Sequence, residues 1–207
     1  MKIVTIIPAH LASIRLPQKI LMNINGLPMI EHVRRRINLC SMVDQAIVAT
    51  GDKDIKECVE SYGGKVIKTK KKHLNGTSRV AEAIKNIDCS HVLLIQGDEP
   101  LILPRHINYF LKEISKDNEN DAWNTVANLN NSKELETSSF VKCSIAKNGR
   151  ILYLFRKSPS FSSFDNQQKY IKKILGVICY KKNVILDIAA KKASHIEKNE
   201  SIEQIKL

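Results

Sequence analysis

The chain has 207 residues, 43% of them hydrophobic and 26% charged, with 33 Lys and Arg against 21 Asp and Glu. Such a length buries a full core within one domain, and the formal net charge of +12 favours anionic partners: nucleotides, nucleic acid, acidic sugars or a membrane surface. The five cysteines are odd in number, scattered and without a Cys-x-x-Cys pair, which excludes a disulfide framework and a structural zinc site and points to a reducing compartment. The first apolar run is too short for a signal peptide and no run reaches membrane-spanning length, so a cytoplasmic protein without membrane attachment is expected.

In chain order, residues 2–7 read as a buried strand, Ile3 to Ile7 being an apolar β-branched run without alternation, as in a parallel sheet covered on both faces. They empty into Pro8 and a basic loop carrying Arg15 and Lys19. Asn25-Gly26 marks a tight turn, and Pro28 opens a helix with Ile30, Val33 and Ile37 inward and Arg34, Arg35 and Arg36 outward. A strand over 46–50, a helix over 52–62 stopped by Gly63-Gly64, a strand over 65–68 and a helix over 77–87 follow. The strand 92–95 runs straight into Gln96-Gly97-Asp98-Glu99-Pro100, and a helix covers 104–115. This alternation predicts an α/β fold, a Rossmann-like, doubly wound, mostly parallel sheet. After Asn118 the pattern turns strand-rich, with strands over 122–129, 140–146 and 150–155 and a hairpin signal at Asn148-Gly149. Residues 157–169 are Ser-rich and aperiodic and read as a mobile loop; a strand over 174–180, a helix near 182–191 and a charged helical tail over 197–207 close the chain.

Ligands of open parallel sheets sit beyond the carboxyl ends of the strands. Three unusual segments fall there: the basic loop, the Gly76 loop before the third helix, and the acidic turn at Asp98. A carboxylate at a strand end suits Mg²⁺, which takes one or two carboxylates plus phosphate oxygens. Arg15, Lys19 and Arg79 are cations able to neutralise a polyphosphate at the same edge. Together they point to phosphoryl or nucleotidyl transfer. Neither Gly-x-Gly-x-x-Gly nor a Walker lysine motif is present, which disfavours dinucleotide oxidoreductases and P-loop enzymes. His73 lies among lysines that disfavour its protonation, so it receives no proton-transfer role.

At these residues the chain closely resembles the 3-deoxy-manno-octulosonate cytidylyltransferases. The matching segments are Pro8-Ala9-His10 through Ser13-Ile14-Arg15-Leu16-Pro17-Gln18-Lys19, Asn25 to Ile30, Ala49-Thr50, His73 to Arg79, and Gln96-Gly97-Asp98-Glu99-Pro100. Weaker matches are Tyr153 with Arg156, Leu175-Gly176 with Tyr180, and Glu197 through Glu200 to Glu203-Gln204. The resemblance implies a single nucleotidyltransferase domain of the nucleotide-diphospho-sugar transferase type, with a nucleotide-binding part over 1–117 and a sugar-binding and dimerisation part over 118–207. It implies a reaction in which the anomeric 2-hydroxyl of a 3-deoxy-2-ulosonic acid (Kdo or a close analogue) attacks the α-phosphorus of CTP. The products are a CMP-sugar for lipopolysaccharide or capsule synthesis and pyrophosphate.

Carried over by position, Arg15 and Lys19 hold the triphosphate and Asp98 binds Mg²⁺. Pro8, Ala9, His10, Asn75, Gly76, Arg79 and Gln96 make the nucleotide contacts. Gln96, Arg156, Tyr180, Glu200 and Gln204 meet the sugar, with Glu200 and Gln204 on one helical face. The implied assembly is a homodimer, with no nucleic-acid or membrane partner.

Some positions depart from the family pattern: His10 replaces an arginine, Gly51 an aspartate, Asn75 a serine and Ile174 a histidine, while Ser158-Pro159-Ser160 lacks an Ile-Pro-aromatic sequence. The chain also ends at Leu207, before the family's Asp-Thr-Pro-Glu-Asp turn with its second metal-binding aspartate, so weaker metal binding is expected. An alternative is therefore a truncated, weak or silent relative that binds nucleotide or a partner chain. A nucleic-acid-binding protein is disfavoured, because aromatics are only 5% and are not interleaved with the basic residues.

Overall fold

The opening apolar run forms the central strand β1 (Ile3–Pro8) in a computed structural model that describes residues 1–12, 16–117 and 119–207. A 3₁₀ turn (Lys19–Leu21) and a small hairpin of β2 (Asn23–Ile24) and β3 (Leu27–Pro28) lead into α1 (Met29–Asn38). Then come β4 (Ala46–Thr50), α2 (Lys53–Ser61), β5 (Lys65–Lys68), α3 (Gly76–Ile84), β6 (His91–Ile95) and α4 (Pro104–Ile114). The second half contributes β7 (Ala122–Ala127), α5 (Ser132–Glu136), β8 (Lys142–Ile145), β9 (Ile151–Phe155), α6 (Phe164–Gln167), β10 (Ile171–Lys181), α7 (Lys182–Ala190) and α8 (His195–Glu200), with a last 3₁₀ turn at Glu203–Lys206.

The chain divides into two compact units, Met1–Trp123 with Gly176–Ala189, and Asn124–Leu175 with Ala190–Leu207. In the first, the order β5-β4-β1-β6 is parallel throughout, and Val177–Lys181 of β10 adds an antiparallel strand beside β6. Ile6 and Ile7 are both fully buried, on opposite faces of the sheet. Ile7 packs with Ile30, Val33, Ile55 and Leu111 of α1, α2 and α4, whereas Ile6 packs with Val80, Ile84 and Ile185 of α3 and α7. That two-sided burial is why the strand carries no polar alternation, and the expected doubly wound sheet is present. In the second unit β8 pairs antiparallel with β9 and with Ile171–Lys173 of β10. Gly149 (φ 85°) closes the β8–β9 connection as the Asn-Gly signal predicts.

Several expectations need correction. Residues 176–189 group with the first unit, where Val177–Lys181 of β10 pairs with β6. The Ser-rich segment 157–169 is not a bare loop: it contains α6 and is tied by side chains. Ser158 Oγ donates to Gln167 Oε1 at 2.6 Å, Gln167 Nε2 donates to the Ser162 carbonyl, and Ser160 Oγ meets the Tyr170 hydroxyl at 3.0 Å. Helix α5 was not expected; five residues are too few to show a 3.6-residue period, although Asn131 caps it by accepting the Glu134 N–H. The helical tail breaks at Ser201, which adopts a left-handed conformation (φ 51°).

Arg34 does not point away from the core. It is 6% exposed and donates Nε and Nη2 to the two carboxylate oxygens of Glu31, which is 0% exposed, at 2.7 and 2.8 Å. Its Nη2 also reaches the Tyr62 carbonyl at 3.0 Å, joining α1 to the end of α2. Removing one member of a buried pair leaves a desolvated charge without its partner. Glu31→Ala should therefore lower unfolding stability by about 3 kcal/mol or more in denaturant titration; an unchanged midpoint would show that Arg34 finds solvent.

Candidate active site

The acidic turn and the basic loop meet where β1 and β6 end. The loop after β1 is fastened at Leu11, whose N–H donates to Asp52 Oδ2 at 3.0 Å and whose carbonyl accepts the Gln18 N–H at 3.1 Å. Gln18 takes a left-handed conformation (φ 57°), which turns the chain into the Lys19–Leu21 segment, and Ile20 anchors that segment in the core. Gly97 packs directly on this anchor: a Cβ there would lie 3.0 Å from Ile20 Cδ1 and 3.1 Å from Ile30 Cδ1. The close approach brings the Lys19 ammonium onto Asp98 Oδ2, with the two side chains 24% and 38% exposed. An ion pair this open to water contributes only about 0–1 kcal/mol to stability. Its partners can separate to meet a ligand at little cost to the fold.

Glu99, next in the turn, differs from Asp98. Burial and the neighbouring Asp98 charge push its carboxyl above the usual range, opposed by the nearby Gly176 N–H and by Lys19. No group of three or more metal-ligating side chains occurs among the described residues. The single strand-end carboxylate of Asp98 nevertheless fits Mg²⁺, whose remaining ligands would be phosphate oxygens and water.

The second component is the start of α3. Asn75 caps the helix, its Oδ1 accepting the Ser78 N–H at 2.9 Å while Ser78 Oγ answers the Asn75 N–H at 3.3 Å. Asparagine and serine are equivalent N-caps, so the departure at Asn75 leaves this local geometry satisfied. A Cβ on Gly76 would lie 3.4 Å from Pro8 Cγ and 3.6 Å from Gln96 Nε2. Pro8, Gly76 and Gln96 thus converge around a position that glycine keeps open, with Ala9 buried and His10 exposed beside them.

Behind this loop lies a network that sequence reasoning did not anticipate. Arg79 is 4% exposed, and its guanidinium donates to Thr69 Oγ1 at 2.7 Å and to the carbonyls of Lys70 and Lys71 at 3.1 and 3.2 Å. It therefore pins the lysine-rich segment 70–72 from below and does not present its donors to solvent. Glu82 Oε1 accepts the Lys70 N–H at 3.0 Å, and Oε2 lies 2.8 Å from His73 Nε2. The same segment explains Gly51: a Cβ there would fall 2.5 Å from the Lys70 carbonyl oxygen and the Lys71 Cα. An aspartate at 51 would have to displace the lysine loop. Asp52, Glu82 and Arg79 carry no periodic signal; only the fold brings their loops together.

Other sequence-derived site residues lie apart from this edge. Tyr180 pairs with Val92 in the sheet and sits in the apolar cluster of Ile6, Leu94 and Ile185 at 1% exposure, which corrects its assignment as a sugar contact. In the second unit, Arg156 donates to the backbone carbonyls of Glu200, Ser138 and Ser201, the last two at 2.9 Å. Glu200 Oε2 accepts the Arg156 N–H at 3.2 Å, and Gln204, buried, donates to Asn124 Oδ1 at 2.8 Å. Glu200 and Gln204 do not share a helical face, because the break at Ser201 separates them. Arg15 lies outside the described residues.

The α/β sheet sets a lysine, a carboxylate and the start of α3 at its carboxyl edge, and the Cytidylyltransferase family model, which matches residues 4–207, makes the chain a nucleotidyltransferase. Curated 3-deoxy-manno-octulosonate cytidylyltransferases share this whole chain: that of Chlorobium limicola is 34% identical over 209 residues, covering 100% of this chain and 85% of the relative. That of Escherichia coli is 32% identical over 206 residues, covering 100% and 83%. A solved CMP:2-keto-3-deoxy-manno-octonic acid synthetase complexed with CTP superposes with a TM-score of 0.90 at 31% identity, covering 100% of this chain and 85% of that one. The chain belongs to the 3-deoxy-manno-octulosonate cytidylyltransferase family.

His73 offers a check on the loop behind the site. Burial and the Arg79 and Lys70 charges lower its pKa from 6.5, against the opposing pull of Glu82. The folded protein then holds fewer protons than the unfolded chain between the two pKa values, so stability is complete above 6.5 and declines as pH falls below it. His73→Gln should flatten that acid-side decline in denaturant titrations across pH. Parallel wild-type and variant curves would place His73 in solvent.

Proposed function

We propose that this chain joins CTP to 3-deoxy-manno-octulosonic acid, or a close ulosonic-acid analogue, releasing pyrophosphate. The observation that carries the reading is the solvent-open Lys19–Asp98 pair at the sheet edge, beside the Pro8, Gly76 and Gln96 convergence. Full-length similarity to enzymes of that name supports the choice of substrates.

In the reaction the sugar 2-hydroxyl oxygen bonds to the α-phosphorus, the bond to the pyrophosphate oxygen breaks, and the hydroxyl proton passes to solvent. Lys19, released from Asp98, neutralises charge growing on the departing pyrophosphate. Asp98 would hold Mg²⁺ together with phosphate oxygens. When bound, the ion supplies electrostatic stabilisation of the attacked phosphate and of the leaving group. Gln96 and the open face of Gly76 orient the nucleotide, while Arg79 acts from behind, by keeping the lysine loop in place. In the second unit, Arg156 fixes the Glu200–Ser201 turn through its carbonyls, and the Glu200 carboxylate accepts the Arg156 N–H.

We further infer a cytoplasmic homodimer. β9 is the last strand in the sheet order and leaves Leu152 and Tyr153 exposed at 64% and 43%, an apolar strand that a second copy would cover.

The test is pyrophosphate release with CTP, Mg²⁺ and a panel of ulosonic acids. Release with 3-deoxy-manno-octulosonic acid is expected. Lys19→Ala and Asp98→Asn should each lower kcat by about a hundredfold or more. A folded preparation that binds CTP and releases no pyrophosphate with any acid would reduce the chain to a nucleotide-binding relative.

A further inference from the structure

Asp52 stands at the N-cap position of α2, just past the carboxyl end of β4, with an extended backbone (φ −92°, ψ 126°). An aspartate in that place ordinarily turns its carboxylate onto the N–H groups of the first helical turn. This one makes no such bond. Its Oδ2 accepts the N–H of Leu11 in the basic loop at 3.0 Å, and the residue is 9% exposed. Its backbone is fixed on both sides: the Asp52 N–H donates to Thr50 Oγ1 at 3.1 Å, and its carbonyl accepts the Lys56 N–H at 3.2 Å. The side chain has given up the local cap for a contact 41 residues away in sequence.

Leu11 is the neck of the loop. Its carbonyl accepts the Gln18 N–H at 3.1 Å, so positions 11 and 18 close on each other, and Lys19 follows directly. Before the neck, the Ala9 N–H donates to the Ala49 carbonyl at 3.0 Å; after it, Ile20 is buried in the core. Among the described residues between 10 and 18, the bond to Asp52 is the hydrogen bond that leaves the loop and its closing 3₁₀ turn. The Leu11 side chain also packs against the core, an apolar contact that sets no direction. The Lys19–Asp98 pair cannot hold the loop during transfer, because Lys19 has to leave Asp98 to meet phosphate. The Asp52 bond is untouched by that exchange.

We propose that Asp52 is a positioning residue for nucleotidyl transfer: by holding the Leu11 N–H it fixes the neck from which Lys19 is presented to the leaving pyrophosphate. That role rests on the reading of Lys19 and Asp98 as the transfer site. It needs an acceptor oxygen at the right reach and no negative charge, so an amide oxygen should serve as well. A side chain that caps α2 and stops short of Leu11 should not.

The experiment compares the full-length wild type with Asp52→Asn, Asp52→Ala and Asp52→Ser, reading amide hydrogen exchange at Leu11, denaturant midpoints and steady-state pyrophosphate release. Serine caps a helix as well as aspartate does but is too short to reach Leu11, so it separates the two jobs of this position. In Asp52→Ser the midpoint should match that of the wild type, the new cap offsetting the lost bond. Exchange at Leu11 should rise and kcat fall, each about tenfold, in both Asp52→Ser and Asp52→Ala. The KM for the ulosonic acid should stay within about threefold, and Asp52→Asn should recover most of the loss. On a Lys19→Ala background, Asp52→Ala should cost less than about threefold more, since the group it positions is gone. Unchanged exchange at Leu11 in Asp52→Ala would overturn the inference. So would a wild-type kcat in Asp52→Ser, or the full loss from Asp52→Ala without Lys19, which would leave Asp52 a purely structural part. If the wild type releases no pyrophosphate, the proposed function fails, and exchange at Leu11 still decides whether Asp52 holds the loop.

Discussion

The contact between the Lys19 ammonium and the Asp98 carboxylate, at the carboxyl edge of the parallel strands β1 and β6, is the constraint around which the first unit is arranged. Each element that produces it has a physical cause. Gly97 lets the acidic turn sit on Ile20 and Ile30, the left-handed Gln18 turns Lys19 toward β6, and Asp52 fastens the loop through the Leu11 N–H. Once formed, the pair is exposed enough to be exchanged for a phosphate and a cation, which is what a transfer site needs and a structural ion pair does not. The buried Glu31–Arg34 pair shows the contrast: it lies in the core, linking α1 to the end of α2, where no ligand reaches it.

Around that pair the scaffold works through backbone geometry more than through charge. Arg79, a cation that sequence reasoning aims at phosphate, is buried and holds the carbonyls of Lys70 and Lys71. Gly51 accepts the lysine loop where a side chain would push it out. Among the described residues, Lys70, Lys71 and Lys72 reach solvent on a segment that Arg79, Glu82 and Gly51 hold in place.

The α/β half was legible because its strands are buried on both faces and its helices keep one apolar stripe; Ile6 and Ile7, or Ile30, Val33 and Ile37, declare their places through spacing alone. The Lys19 and Asp98 segments were legible because a strand that ends in charged, glycine-bearing loops is unusual. What spacing cannot reveal is which backbone groups a side chain will meet. Arg34 looks like one of three outward arginines until Glu31 and the Tyr62 carbonyl are set beside it. Tyr180 looks like a ligand contact until the β10 register turns it into the core. The strand-rich unit was harder throughout. Its short elements α5 and α6 and the break at Ser201 depend on caps and side-chain bonds between residues distant in sequence.

The most direct test of the central claim is a crystal structure of this chain with CTP and Mg²⁺. The account predicts a triphosphate between the basic loop and the acidic turn, with the Lys19 ammonium moved off Asp98 onto a phosphate oxygen and the Asp98 carboxylate facing the cation. A nucleotide bound elsewhere, with Lys19 still paired to Asp98, would contradict it.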